Sequence, residues 1–281
     1  MRLEGWEQAP GAFEGTIMEL GLAGKHALVT GSTGGIGYSI AKGLAAEGAS
    51  VVIAGRTQAS VDATLKRLAE AVPDGKVTGI AANCATAEGA ETVFERVPEL
   101  DVLVNNLGIY GRKPAFEITD EEWRLFFETN VMSGIRFARH YAPGMARRGW
   151  GRVLFVSSES ALNIPKEMIH YGMTKTAQLA ISRGMAMELA GTGVTVNALL
   201  PGPTHTENTD KLRAERAESQ GVTVAEIEAA FFRDFRPTSL IRRFTSSDEV
   251  AALGVYLCSE AASGTSGAAM RVDGGVVNQI M

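Results

Sequence analysis

The sequence has little of what marks secreted, membrane-spanning or metal-binding proteins. Only two of its 281 residues are cysteines, Cys84 and Cys258. They are far apart and lack metal-ligand spacing, so we expect two buried thiols, with no disulfide and no metal site. No apolar run approaches the roughly 18 residues of a membrane span, and the first 20 residues lack the continuous apolar core of a signal peptide. These absences favour a cytoplasmic protein.

An excess of positive charge is also missing. The 27 Lys and Arg residues are outnumbered by 32 Asp and Glu residues, which gives a formal net charge of -5. Such a chain has no basic field to attract nucleic acid or anionic lipid. We therefore expect a small-molecule partner, with no nucleic acid and no membrane. The length and the 45% hydrophobic content suffice for the core of one α/β domain.

Regular alternation begins at Lys25, where short β-rich runs such as HALVT, SVVIA, DVLVNN and RVLFVSS are separated by longer helical stretches. This pattern predicts an α/β fold of the Rossmann type. We expect a doubly wound parallel sheet of about seven strands, with helices on both faces, in a single domain over residues 23–281. Ligands bind such sheets beyond the carboxyl ends of the strands, where the strand order reverses.

Two segments lie outside this alternation. Residues 1–22 are expected to form an N-terminal arm, with Trp6 and Phe13 either packed on a neighbouring subunit or held loosely. Residues 203–240 form the long irregular insertion of the sequence. We interpret them as a lid over the substrate that contains a helix near residues 223–235.

A glycine-rich turn follows the first strand. Residues 30–37, TGSTGGIG, lead directly into a helix, which is the context of a dinucleotide-binding site. Glycines let backbone amides approach a pyrophosphate, whose charge is stabilised at the positive end of the helix. The turn residues that we expect to bind a cofactor are Gly31, Ser32, Thr33, Gly35, Ile36 and Gly37.

The end of the second strand bears on the choice between cofactors. An acid here favours a free ribose 2′-hydroxyl, whereas an arginine accommodates a 2′-phosphate. Gly55 and Arg56 stand at this place. A charge-assisted contact from Arg56 favours NADP(H) over NAD(H). The alternative is a surface arginine with no cofactor role.

A tyrosine and a lysine four residues apart, Tyr171 and Lys175, follow the fifth strand run. On a helix they share one face, one turn apart. A phenol has a pKa near 10, and an adjacent ammonium favours its ionised form. A Y-x-x-x-K pair alone is common on helix surfaces, but Ser158 also ends an apolar strand thirteen residues before Tyr171.

The T-G-x-x-x-G-x-G turn, the strand-end serine and the Y-x-x-x-K pair together resemble the short-chain dehydrogenase/reductase family, over about residues 22–276. The resemblance implies an NAD(P)-dependent oxidoreductase that moves hydride between nicotinamide and a small carbonyl or alcohol. It implies that Tyr171 is the general acid and base and that Ser158 hydrogen-bonds the substrate oxygen. Lys175 would lower the pKa of Tyr171 and bind the nicotinamide ribose. Asn130 matches an asparagine that holds a relay water in the family.

Further segments match the same family. Residues 105–108, NNLG, are similar to its N-N-A-G, and residues 201–206, PGPTHT, to the segment that holds the nicotinamide carboxamide. Against NADP, Gly34 stands where many NADP-using members carry a basic residue. The additional cofactor-binding residues that the resemblance implies are Asn83, Cys84, Asn106, Gly108, Thr204 and Thr206, together with Tyr171 and Lys175.

Several questions stay open on the sequence alone. A catalytically silent nucleotide sensor and a methyltransferase are alternative functions, because fold alone does not fix function. His170 is either a relay group or a helix-start residue, and His205 and Glu159 have no required role. By resemblance, helices near residues 119–141 and 171–190 imply a homodimer or homotetramer. A moderately apolar substrate is suggested by the expected pocket walls, which are Leu107, Ile109, Ser160, Met168, Ile169 and the lid.

Overall fold

A parallel sheet forms the centre of the computed structural model, which describes residues 19–280. Its strands are β1 (His26–Val29), β2 (Ser50–Gly55), β3 (Lys76–Ala81), β4 (Val102–Asn105), β5 (Gly151–Val156), β6 (Val194–Pro201) and β7 (Ala269–Val272). They lie in the order β3-β2-β1-β4-β5-β6-β7, and all neighbouring pairs are parallel. The order reverses between β1 and β4. The predicted doubly wound Rossmann-type sheet is confirmed.

Helices connect the strands and cover both faces of the sheet. The α-helices within residues 19–280 are α1 (Gly35–Ala46), α2 (Gln58–Ala71), α3 (Ala87–Arg96), α4 (Asp120–Phe127), α5 (Ser133–Arg148), α6 (Ile169–Glu188), α7 (Glu207–Gln220), α8 (Val224–Asp234) and α9 (Ser247–Leu257). A π-helical turn, Glu128–Met132, separates α4 from α5. The long helix expected near residues 119–141 is therefore present as a continuous helical run that contains one π-turn.

The core consists of two layers, one on each face of the sheet. One layer packs α1 and α9 against the strands through residues such as Leu44 and Val255. The other packs α5 against the opposite face through Phe137 and Met145. Because parallel strands are covered on both faces, their side chains form a continuous apolar interior.

The last residues of the expected arm, residues 1–22, contact the domain. Leu22 is buried in the first core layer, and the Leu20 carbonyl accepts a hydrogen bond from the Glu260 N–H. Its last residues thus belong to the domain, because apolar side chains at this point cover the sheet. Trp6 and Phe13 lie outside the described residues.

The 203–240 segment connects β6 to α9 and contains two helices. The helix expected near residues 223–235 agrees with α8, whereas α7 was not expected. Both cysteines are buried. Within residues 19–280, no helix combines the length and the apolar character that crossing a membrane requires.

Candidate active site

A cavity of about 950 Å³ opens at the carboxyl ends of the central strands. The glycine-rich turn after β1, the loop after β4, the strand end of β5 and the first turn of α6 line it, with the 203–240 segment opposite. Its place at the reversal of the strand order is where sheets of this type bind ligands. The topology therefore brings the predicted motifs together.

The glycine-rich turn exposes its backbone to this cavity. Gly31 and Gly35 have positive φ angles of 60° and 54°, which favour glycine. A β-carbon on Gly37 would lie 2.4 Å from the Asn106 amide nitrogen. That amide donates to the carbonyl oxygens of Thr30 and Gly31 at 3.0 and 2.9 Å. The loops after β1 and β4 are thus tied together without side chains covering the turn.

The start of α1 binds a carboxylate. The Gly35 N–H donates to Glu207 Oε2 at 2.8 Å, and Arg67 Nη2 lies 2.9 Å from Glu207 Oε1. Partial burial raises the pKa of Glu207, but hydrogen bonds from backbone N–H groups and Arg67 outweigh it, so the pKa is lower than usual. The amides at this helix start therefore accept an anion, and the pyrophosphate of a nicotinamide dinucleotide fits the same place.

Tyr171 and Ser158 share one wall of the cavity. Tyr171 lies in the first turn of α6, and Ser158 lies just beyond the end of β5. Burial raises the pKa of Tyr171 to about 12, against a smaller opposite effect of the Ser158 side chain. The sequence predicted that Lys175 lowers this pKa. In the structure the net pKa is raised, because burial and the nearby Glu159 and Tyr110 together outweigh the hydrogen bond with Ser158.

Lys175 is only 4% exposed. Its ammonium group lies 5.6 Å from the centre of the Tyr171 ring and donates to the Val156 carbonyl at 2.9 Å and to Gln178 Oε1 at 3.2 Å. These partners are neutral, and burial lowers the pKa of Lys175 to about 7. At neutral pH this amine therefore titrates.

Asn130 lies in the π-helical turn, fully buried behind the cavity wall. Its side chain accepts from the Ile109 N–H at 2.7 Å and donates to the Ile109 carbonyl at 2.9 Å. The backbone carbonyl oxygen of Asn130 accepts a hydrogen bond from Gln178 Nε2 at 2.6 Å. Gln178 thus links Asn130 to Lys175. Sequence reasoning missed Gln178, because a single buried glutamine in a helix carries no motif.

Most of the predicted cofactor residues come together in the cavity. Those that line it are Gly31, Thr33, Gly35, Ile36, Gly37, Asn106, Gly108, Tyr171, Lys175, Thr204 and Thr206. Those outside its lining are Ser32, Arg56, Asn83 and Cys84. The Ser32 hydroxyl instead donates to the Val29 carbonyl and accepts from the Ala54 N–H, which links β1 to β2. Arg56 and Asn83 are exposed.

The structure shows which of the residues without a settled role line the cavity. His170 is buried beside the Phe126 ring, with ring centres 4.1 Å apart, and is not part of the cavity lining. His205 is also outside the lining, whereas Glu159 is part of it. Of the expected pocket walls, Ile169 is absent from the lining. The walls that do contribute are Leu107, Ile109, Ser160 and Met168.

Known proteins resemble the chain over nearly its whole length. The sequence model of the short chain dehydrogenase family matches residues 25–217. The uncharacterized oxidoreductase YvaG of Bacillus subtilis is 44% identical, over 94% of this chain and 100% of its own. D-beta-hydroxybutyrate dehydrogenase of Cupriavidus necator is 34% identical, over 92% and 100%. The crystal structure of L-sorbose reductase from Gluconobacter frateurii, complexed with NADPH and L-sorbose, has a TM-score of 0.88 at 33% identity, covering 94% of this chain and 100% of that one.

Proposed function

The chain belongs to the short-chain dehydrogenase/reductase family, and from this premise we propose an NADP(H)-preferring enzyme in which Tyr171 is the proton donor and acceptor. Family members of this kind are nicotinamide-dependent oxidoreductases that act on carbonyl and alcohol groups. The observation that carries the residue assignment is geometric. Tyr171, Ser158 and Lys175 line the same cavity as the glycine-rich turn.

The proton chemistry follows from the state of Tyr171. Because its pKa is about 12, the phenol is protonated at neutral pH and can donate to a carbonyl oxygen during reduction. Ser158 hydrogen-bonds this oxygen as negative charge develops. When bound, the nicotinamide supplies or accepts the hydride. In oxidation the steps reverse: Tyr171 must first lose its own proton, and the resulting phenolate then accepts the proton of the alcohol.

Lys175 and its hydrogen-bond partners stabilise the cavity wall that contains Tyr171 and Ser158. We assign two roles to Lys175, which lies close to Tyr171: it contacts the nicotinamide ribose, and it returns a proton to Tyr171 after reduction. Gln178 orients the amine, and Asn130 is a positioning residue that fixes the backbone of Ile109. The backbone carbonyl oxygen of Asn130 accepts a hydrogen bond from the Gln178 amide, so Gln178 joins Asn130 to Lys175.

The preference for NADP(H) is supported by two arginines at the adenosine end. Arg56 is exposed directly after β2, and Arg67 lines the cavity beside Gly34. Arg67 places a positive charge near the glycine-rich turn, at which Gly34 replaces the basic residue that many NADP-using family members carry. The L-sorbose reductase neighbour was crystallised with NADPH, which agrees with this choice.

Assembly and location are further parts of the proposal. Leu125 and Phe127 on α4 and Met187 on α6 are large apolar side chains that are exposed in the single chain. Such exposed side chains support a homodimer or homotetramer. Light scattering after size exclusion should give a dimer or a tetramer, and a monomer alone would contradict this. We retain the sequence-based expectation of a cytoplasmic location.

The direct test is a carbonyl panel assayed by nicotinamide absorbance, with NADPH and NADH in parallel. We expect at least one carbonyl to be reduced, with a higher kcat/KM for NADPH. Preference for NADH would overturn the cofactor assignment. No consumption of either nucleotide with any carbonyl, although both bind, would overturn the enzymatic function.

A further inference from the structure

One part of the cavity contains a buried ion pair that the proposed proton transfer does not use. Glu159 directly follows Ser158 and is 3% exposed, and the side chain of Arg236, which follows α8, is 11% exposed. Both residues line the cavity. Arg236 Nε and Nη2 lie 3.1 and 2.7 Å from one oxygen, Glu159 Oε1. The pair therefore joins the strand-end wall to the 203–240 segment.

The second carboxylate oxygen of Glu159 lacks such contacts. Ser160 Oγ also lies 3.2 Å from Oε1, so three donor atoms converge on one oxygen. Oε2 is buried and has no hydrogen-bond partner among residues 19–280. Leaving a buried carboxylate oxygen unpaired is costly, and such groups are rare in folded proteins. Burial keeps the pKa of Glu159 raised even beside Arg236. A ligand that donates to Oε2 would remove this cost.

The pair has the groups that recognise a hydroxyl. A guanidinium has five N–H bonds, of which Arg236 uses two toward Glu159 and one toward the Phe235 carbonyl. The remaining N–H bonds can donate to a hydroxyl oxygen, while the hydroxyl hydrogen is donated to Oε2. An apolar ketone would leave Oε2 unpaired, and a substrate carboxylate would face the like charge of Glu159.

The ion pair lies close to the proposed reaction site. Glu159 directly follows Ser158 in the chain, and both residues line the cavity together with Tyr171. The 203–240 segment also contributes the apolar side chains of Leu212, Ile227 and Phe231 to the cavity lining, and the Phe231 ring lies 5.9 Å from the Arg236 guanidinium. A ligand in this space therefore meets both hydroxyl-binding groups and apolar side chains, which suits a carbohydrate chain, whose carbons carry both O–H and C–H groups.

We infer that Glu159 and Arg236 bind a hydroxyl group near the reacting carbon, so that the substrate is a polyhydroxylated carbonyl compound, such as an open-chain ketose, or the matching polyol. This inference rests on the proposed function, because it places hydride transfer beside Tyr171. The ion pair adds a hydroxyl-binding group to the moderately apolar walls that the sequence suggested, of which Leu107, Ile109, Ser160 and Met168 line the cavity.

The test compares ketoses with a ketone of the same carbon number that lacks hydroxyls. With NADPH, D-fructose and L-sorbose should have kcat/KM values at least about 100-fold above 2-hexanone, since a site built to bind a hydroxyl rejects analogues lacking it. Glu159→Gln should lower kcat/KM for the ketoses by roughly 10- to 100-fold and leave 2-hexanone nearly unchanged. Arg236→Gln should act in the same direction.

Arg233→Gln is the matched control, because Arg233 lies on α8 and forms an exposed ion pair with Asp234. It should change neither substrate. NADPH fluorescence and thermal unfolding verify that each variant is folded, and the wild-type substrate ratio is informative even if a variant is not. Reduction of 2-hexanone but of no ketose would overturn this inference and leave the proposed function standing. An equal loss for both substrates in folded Glu159→Gln would also overturn it. Binding of NADPH without reduction of any carbonyl would overturn both.

Discussion

The two sides of the cavity are held by different kinds of contact. On the strand-end side, Lys175 and Asn130 are buried and bonded largely to backbone atoms and to a neutral amide. On the side of the 203–240 segment, ion pairs make the contacts, exposed between Glu207 and Arg67 and buried between Arg236 and Glu159. Buried backbone contacts fix geometry, whereas an exposed ion pair contributes little energy. The first side therefore suits proton transfer, and the second suits selection and entry of ligands.

Tyr171→Phe should have the largest effect, because it should lower kcat without weakening NADPH binding. This change removes one oxygen from the strand-end side, and a positioned proton donor contributes roughly 10²- to 10⁴-fold to rate. We expect kcat to fall by that factor, while the Kd for NADPH stays near the wild-type value. Single-turnover absorbance and fluorescence titration measure the two quantities.

Tyr256→Phe is the control for this prediction, since Tyr256 lies on α9 and packs against the core outside the cavity lining. It should leave kcat unchanged. If folded Tyr171→Phe kept near wild-type turnover, the proton would come from another group and the distinction between the two sides would fail.

Sequence and structure agree best where the signal is local. The glycine-rich turn spans eight residues and the Y-x-x-x-K pair five, so hydrophobic period and spacing alone placed them on a turn and a helix. Contacts across long separations gave no such signal. Gln178 meets Asn130 across 48 positions, Arg236 meets Glu159 across 77 and Glu207 meets Gly35 across 172. Such contacts depend on how the chain returns over the sheet, which a single sequence does not encode locally.

Two features of the site could not be predicted from local spacing. The long helix contains a π-helical turn in which the buried Asn130 side chain hydrogen-bonds the backbone of Ile109. The net rise of the pKa of Tyr171 was not predicted, because burial depends on the whole fold, whereas the spacing to Lys175 is local.

Gln178→Leu should have the next largest effect. It removes one buried hydrogen-bond partner from the Asn130 backbone carbonyl and one from the Lys175 amine, which keeps its contact with the Val156 carbonyl. This loss should cost about 1–3 kcal/mol of unfolding free energy. Loss of an acceptor also disfavours the ammonium, so the pKa of Lys175 should fall further below about 7. Because the proposed mechanism uses the Lys175 ammonium, the fall of kcat at alkaline pH should then begin at a lower pH.

Gln178→Glu separates this role from a merely structural one, because its negative charge favours the ammonium and should move the same limb to higher pH. The exposed substitution Gln58→Leu on α2 is the control for stability. Identical pH profiles for both Gln178 variants and the wild type would show that Gln178 does not act through Lys175.

Substitution of Arg56 should have a smaller effect on the preference for NADPH over NADH, because Arg56 is exposed. Arg56→Gln should raise the KM for NADPH by roughly tenfold, the lower range for a charge-assisted hydrogen bond, and leave the KM for NADH unchanged. Arg67→Gln should act in the same direction, with a smaller effect since Glu207 already shares its charge. Equal increases for both nucleotides would show that these arginines do not read the 2′-phosphate.

Glu207→Gln should have the smallest effect, and in the opposite direction. Its carboxylate accepts the Gly35 N–H, which is expected to meet a cofactor phosphate. Because the two anions compete for one helix start, removing the charge should lower the Kd for NADPH by roughly two- to fivefold, as expected for an exposed charge. The gain should shrink at high salt, and Glu218→Gln near the far end of α7 should not produce it. Unchanged NADPH binding by Glu207→Gln would contradict this competition. Weaker binding would mean that the carboxylate helps to bind the cofactor, so that the 203–240 segment would contribute to cofactor binding.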